Sequence, residues 1–305
     1  MKKYIGLAIF LIALFFNFES TAHKITAHRG DVKDGYNYWF AEPENPTELK
    51  PLVIFLHGQS LCGNDLNKVK RYGTLDALEK GRDIDAFVLA PQNPGGSWNP
   101  EKIMNIVDYL VDHNDKIDQN RIYVLGMSLG GYGTLDFAAT YADEIAAAIA
   151  MCGGATQKNV GTLNEMPLWI IHGTADNAVS ISQSDKVVNE MRAANSRTPR
   201  LSYDRVPGMN HSQPARVFYM PETYEWLFSH SLLDEGRPIT KTFDVSSKMS
   251  GAYSGLNFSG SKNKSSANSK SSSTSKKAAS KKSTSKKSGS KKSSGNSKSV
   301  KNKKK

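Results

Sequence analysis

Cysteine is nearly absent from this chain, with Cys62 and Cys152 the two examples in 305 residues. That excludes a small fold stapled by several disulfides and a thiolate-rich metal centre. One bridge between the two remains open, as does a pair of separate small core residues, because spacing cannot establish the distance a bridge needs. There is no HExxH, no paired CxxC and no compact His/Asp cluster, so no metal and no cofactor are expected. The glycine-rich stretch from Gly126 to Gly133 lacks the GK[ST] of a phosphate loop, which excludes that mode of nucleotide binding. The apolar run at residues 4–16 is shorter than the ~20 residues that cross a bilayer.

Acidic residues are missing from Ser246 onward, where the chain carries 17 lysines among Ser, Asn and Gly. Such a composition cannot bury enough apolar surface to offset chain entropy, so residues 246–305 read as a disordered tail. Lys276-Lys277, Lys281-Lys282, Lys286-Lys287 and Lys291-Lys292 recur every five residues, a period that fits neither a helix face nor a strand face. With the whole chain at +11 and the tail at +17, residues 1–245 stand at −6. The high pI therefore describes the tail and not the domain. A polycation of this kind can hold an anionic polymer or surface by counterion release. No aromatic residue follows Phe258, so bases would have no stacking platform, and specific nucleic-acid recognition is not expected.

The other end reads as an address. Lys2-Lys3, the apolar run and then Ser20-Thr21-Ala22 form a secretory signal peptide over residues 1–22, and the chain is expected to be exported, whether secreted, periplasmic or at the cell surface. What remains, residues 24–245, has the size of one domain.

Within it, short and nearly continuous apolar runs at 52–56, 86–90, 122–125, 145–151 and 168–171 have the character of strands covered on both faces. Residues 36–41 alternate as an edge or hairpin strand would, and 201–206 reads as a last strand. Helical patterns fall between them at 66–80, 101–115, 129–141 and 182–195, with a final one at 221–232. Strand and helix in alternation predict an α/β fold, a mainly parallel sheet flanked by helices. Reactive groups in such sheets gather beyond the carboxyl ends of the strands.

Gly126-Met127-Ser128-Leu129-Gly130 lies at such an end, between the apolar Ile122–Leu125 run and a helical stretch. It reads as a nucleophile elbow, a turn tight enough to push a serine hydroxyl out at its tip. Serine needs a base, and an acid to orient that base. Of seven histidines, His23 and His28 come before the first expected strand and His113 and His230 fall in helical stretches. His57 and His172 each follow a strand and precede a glycine, and read as structural. His211, in a loop after the last strand, is the candidate base. Asp176, five residues past the 168–171 strand, is the candidate acid; Asp204, inside a strand, is a poorer one. Oxyanion donors are expected from the amide of Leu129, at a helix start, and from Gln59 or its neighbour Ser60. Trp98, in the short loop 91–100, is the candidate substrate wall.

His57-Gly58, Gly126-x-Ser128-x-Gly130-Gly131, Asp176 and His211 together resemble the α/β-hydrolase superfamily over about residues 35–232. The stretch Asn120–Thr134, with Ala90-Pro91-Gln92 and Cys152-Gly153-Gly154, is similar to its secreted esterase and predicted-peptidase group, which includes feruloyl-esterase-like and dienelactone-hydrolase-like enzymes. The resemblance implies Ser128 as nucleophile, Asp176 as acid and His211 as base. The expected activity is hydrolysis of carboxylic esters, either small or carried on an acylated polysaccharide. A serine peptidase of the same fold, or a polyanion-binding protein acting through the tail, are the alternatives. The lysine tail and the lack of a long cap insertion depart from the family pattern.

Overall fold

The near-continuous apolar runs become the centre of one eight-stranded sheet. The structure is a computed structural model that describes residues 22–239 and 241–258. The expected signal peptide up to residue 21, and the lysine-rich sequence beyond 258, lie outside the described residues. No helix among the described residues is long and apolar enough to cross a membrane.

The strands are β1 His23–His28, β2 Asn37–Pro43, β3 Lys50–Leu56, β4 Phe87–Gln92, β5 Ile117–Met127, β6 Ala147–Met151, β7 Leu168–Gly173 and β8 Leu201–Val206. Their spatial order is β1-β2-β4-β3-β5-β6-β7-β8. β2 runs antiparallel to both β1 and β4, and every other neighbouring pair is parallel. The helices are α1 Thr74–Glu79, α2 Pro100–His113, α3 Leu129–Thr140, α4 Ser182–Ala194, α5 Pro221–Phe228 and α6 Val245–Ser250. The strand period of two divides the core between the faces. Leu52, Ile54 and Leu56 meet residues of α2 and α3 on one face. Val53 and Phe55 meet Leu66, Phe218 and Leu227 on the other.

Three expectations need correction. β1 lacks an apolar run, and His23 and His28, expected ahead of the first strand, lie in the sheet's edge strand, with His28 stacked on Tyr38 at 4.7 Å. The helix expected over 66–80 is two pieces, a 3-10 turn Leu66–Arg71 and α1. Gly73 breaks it with φ of 101°, and a Cβ there would lie 2.1 Å from the Phe55 ring. The third concerns the domain boundary at 245. The described fold continues through α6, which Asp244 caps by accepting from the Ser247 amide at 2.7 Å. Met249 and Ala252 are buried beyond it, and the Arg82 guanidinium donates to the Ala252 and Ser254 carbonyls. Apolar side chains scattered among Ser and Gly are a weak sequence signal for packing.

Candidate active site

β5 ends in the elbow. Ser128 holds φ of 60° and ψ of −121°, a left-handed backbone that costs a non-glycine residue about 1–3 kcal/mol. Its amide donates to the Met151 carbonyl at 2.8 Å and its carbonyl accepts from the Tyr132 amide at 3.0 Å, so the surrounding structure holds the turn. The flanking glycines have a steric cause. A Cβ on Gly126 would lie 2.4 Å from the Gly130 carbonyl oxygen, and one on Gly130 would lie 1.9 Å from that of Leu56.

The turns after β7 and β8 bring the other two groups to the serine. The Ala175 amide donates to the Met209 carbonyl at 3.1 Å, and that of Thr174 to Val206 at 3.0 Å, bracing one loop on the other. Gly173 permits this crossing, since a Cβ there would sit 2.0 Å from the Met209 oxygen. His211 Nε2 lies 3.0 Å from Ser128 Oγ and its Nδ1 lies 2.7 Å from Asp176 Oδ2. The Asp176 side chain is fully buried while that of His211 is 27% exposed. Burial opposes the Asp176 charge. The Val179 amide, His211 and the Ala178 amide offset that cost and hold the carboxyl below its usual range. Both amides reach Oδ1 at 2.9 Å, leaving Oδ2 to His211. The structure thus joins Ser128, His211 and Asp176 in one hydrogen-bonded chain.

Leu129 opens α3 and Gln59 opens a 3-10 turn Gln59–Leu61, so neither amide has an intrahelical acceptor. His57 shapes that loop as a neutral ring. Nδ1 donates to the Gly58 carbonyl at 2.8 Å and Nε2 accepts from the Asn93 amide at 3.1 Å. Burial lowers its pKa to about 4.

Trp98 corrects the expectation of a substrate wall. It is 4% exposed, its indole donates to the His57 carbonyl at 3.3 Å, and its ring packs edgewise on Tyr36 and His57. Gly133 of α3 lies against it, so its surface is spent inside the protein. Cys62 and Cys152 are both free thiols. Cys152 Sγ, Asp176 and His211 offer three ligand-type atoms within 4.8 Å of one another. Burial and the Asp176 charge raise the thiol's pKa, so it stays protonated, while Asp176 and His211 are already bonded to each other. Asp204 accepts from the Trp169 indole and from Lys241, away from this chain of bonds.

Sequence reasoning missed Tyr72, whose hydroxyl accepts from the Gly58 amide at 2.9 Å, and Asp136, which accepts from the Thr156 and Gln157 amides and the Thr156 hydroxyl. Neither sits in a motif. Both reach loops far along the chain, which only the folded sheet brings close.

A family model described as phospholipase/carboxylesterase matches residues 93–224. A bifunctional acetylxylan esterase/xylanase of Neocallimastix patriciarum is 26% identical over 159 residues, which is 49% of this chain and 23% of that protein. Among solved structures, a thermostable esterase superposes with a TM-score of 0.55 and 26% identity, covering 68% of this chain and 63% of its own. The acylaminoacyl peptidase of Pyrococcus horikoshii, at 14% identity and a TM-score of 0.52, covers 76% of this chain and 45% of its own, and shares the fold alone. This chain therefore spans under a quarter of the curated relative and under two thirds of the esterase.

Proposed function

We infer that this chain, a member of the α/β-hydrolase superfamily, is a serine hydrolase that cleaves carboxylic esters. The observation that carries the reading is the continuous chain from Ser128 Oγ through the His211 ring to the buried Asp176 carboxylate. His211 Nε2 takes the Ser128 proton as Oγ bonds to the ester carbonyl carbon, and negative charge moves onto the carbonyl oxygen. Asp176 holds the ring's orientation and balances the imidazolium. The Leu129 and Gln59 amides face the developing oxyanion, a contact worth roughly 3–4 kcal/mol for each donor. When the intermediate collapses, His211 gives its proton to the leaving alcohol and an acyl-serine remains. Water then repeats the sequence, losing a proton to His211 and releasing the acid.

An acyl group on a polysaccharide suits the resemblance to an acetylxylan esterase and the export signal in the sequence. The lysine-rich end, with no acidic residue from Ser246 onward, supplies attachment to an anionic polymer or surface that weakens steeply with salt. A fluorophosphonate probe is expected to label the parent and not Ser128→Ala; equal labelling removes Ser128 as the nucleophile. Hydrolysis of p-nitrophenyl acetate over aminoacyl-nitroanilides is expected, and the reverse preference replaces the esterase reading with a peptidase.

A further inference from the structure

His172 is a second imidazole on the same carboxylate, and the ester-hydrolysis sequence gives it no part. It is fully buried at the end of β7. Its Nε2 lies 2.9 Å from the Val179 carbonyl and 3.4 Å from Asp176 Oδ2, the oxygen that receives His211. Its Nδ1 lies 2.7 Å from Ser184 Oγ, in the first turn of α4, and that hydroxyl reaches the Gly153 carbonyl at 2.8 Å. Gly153 follows β6 and lies against Gly131 of α3. One buried ring therefore ties the turn that carries Asp176 to α4 and to the base of the elbow helix.

Counting protons makes this network more than packing. The carbonyls of Val179 and Gly153 can only accept, and Ser184 has one proton to give. As a neutral ring, His172 donates Nε2–H to Val179 and takes the Ser184 proton on Nδ1, leaving the Gly153 oxygen without that donor. As a cation it donates from both nitrogens, and Ser184 is free to serve Gly153. The cationic state satisfies every contact, but it sets a positive charge 3.4 Å from the oxygen that His211 uses. Burial disfavours that charge, and the Val179 carbonyl and Asp176 oppose burial, with the net result below the ordinary histidine value. The other charged groups acting on the ring are His211 on the loop after β8 and Asp185 on α4, and the Cys152 thiol lies beside Asp176.

We propose that His172 is a positioning residue for Asp176, neutral while the enzyme works, whose protonation in acid diverts the Asp176 charge away from His211. It holds the 176–179 turn through Val179, the same residue whose amide fixes Oδ1. In its charged form it competes with His211 for Oδ2, so activity falls in acid by two protonations and not one.

The inference rests on the catalytic reading above, and the two fail separately, because Ser128→Ala tests that reading without touching His172. The experiment is the pH profile of kcat and KM for ester hydrolysis by the full chain, His172→Gln and His172→Ala. Glutamine can still donate to Val179 but cannot become a cation. It is expected to keep kcat within about threefold near neutral pH and to show a one-proton acid limb, where the parent limb steepens toward two. Alanine releases the turn and is expected to lower kcat by about 100-fold with KM little changed. A one-proton limb in the parent, or a limb that His172→Gln leaves unaltered, overturns the proton-linked role. Parent-like kcat in His172→Ala overturns the positioning role. Should His172→Ala fail to fold, the slope in His172→Gln still decides.

Discussion

The Gly58 amide donates to the Tyr72 hydroxyl at 2.9 Å, so that amide already has its acceptor, while the next one, Gln59, opens the 3-10 turn without an intrahelical acceptor. Tyr72 is itself fixed by its ring, which packs edgewise on Phe55 at 6.2 Å. Tyr72→Phe keeps the ring and removes the acceptor. A buried amide left unpaired costs about 1–3 kcal/mol, and the loop can recover it only by turning. The expected outcome is a fall in kcat of about tenfold or more with KM little changed. Steady-state kinetics on p-nitrophenyl acetate measure it; an unchanged kcat would show that the loop keeps its shape without Tyr72.

Gly130→Ala tests the tight turn. Its Cβ would sit 1.9 Å from the Leu56 oxygen and 2.9 Å from that of His57. Both neighbours are backbone, at the last residue of β3 and the one after it, so no flexible side chain can yield. Overpacking typically costs 1–3 kcal/mol, and this case belongs at or above the top of that range. Denaturant midpoints are expected to drop sharply and probe labelling of Ser128 to be lost. Parent-like stability would mean that β3 and α3 are less closely joined than these distances show.

That Ser128, Asp176 and His211 lie beyond the ends of β5, β7 and β8 was legible in the sequence, because apolar runs such as Ile122–Leu125 mark strand ends well. The last strand at 201–206 and the start of α3 were legible as well. What was not legible depends on packing between distant segments. Gly73 reads as a tolerable helix glycine until the Phe55 ring is seen against it. Trp98 reads as a loop aromatic until Tyr36, His57 and Gly133 enclose it. The partners of His172 at Ser184 and Val179 belong to a different helix and turn, and no spacing rule links them.

Trp98→Ala separates packing from substrate contact. A buried tryptophan replaced by alanine costs about 3–5 kcal/mol through lost contacts and the cavity left behind. The expected signature is a large loss of stability in urea. Ester hydrolysis at low temperature, where the variant is still folded, should show a KM near that of the parent. A raised KM with intact stability would restore Trp98 as a wall of the acyl site.

Stability should fall in mild acid. His57 is held neutral, with its pKa lowered by burial from 6.5 to about 4. Above the unfolded value both states are neutral, so its contribution is fully present there. Between about 6.5 and about 4 the unfolded chain binds a proton that the folded one refuses, and stability declines as the pH falls across that window. At 1.36 kcal/mol for each unit, the loss from this residue is about 3 kcal/mol. His172 and His230 are shifted in the same direction by burial and steepen the decline. Asp176, whose carboxyl is held low, adds a further loss once the pH drops through its folded value. Urea unfolding at a series of pH values from 7.5 to 4 gives the curve; a flat profile would mean that His57 takes up a proton without leaving its site.

The boundary at the carboxyl end can be tested by shortening the chain at two places. A chain ending after Phe258 keeps α6, the buried Met249 and Ala252, and the two carbonyls that the Arg82 guanidinium uses. It should therefore unfold at the same temperature as the full chain. A chain ending after Phe243 loses all of these and leaves the Arg82 guanidinium, now partly buried, without those acceptors. Burying one methionine is worth about 1.5–3 kcal/mol, and the lost charged hydrogen bonds add about 1.5–3 kcal/mol. For a domain of this size that corresponds to a fall in Tm of several degrees. Hydrolysis of a small soluble ester well below Tm should be alike in both, since neither end reaches Ser128, His211 or Asp176. An equal Tm for the two would return the boundary to 245, whereas the expected gap assigns residues 246–258 to the folded domain and starts the lysine-rich tail after it.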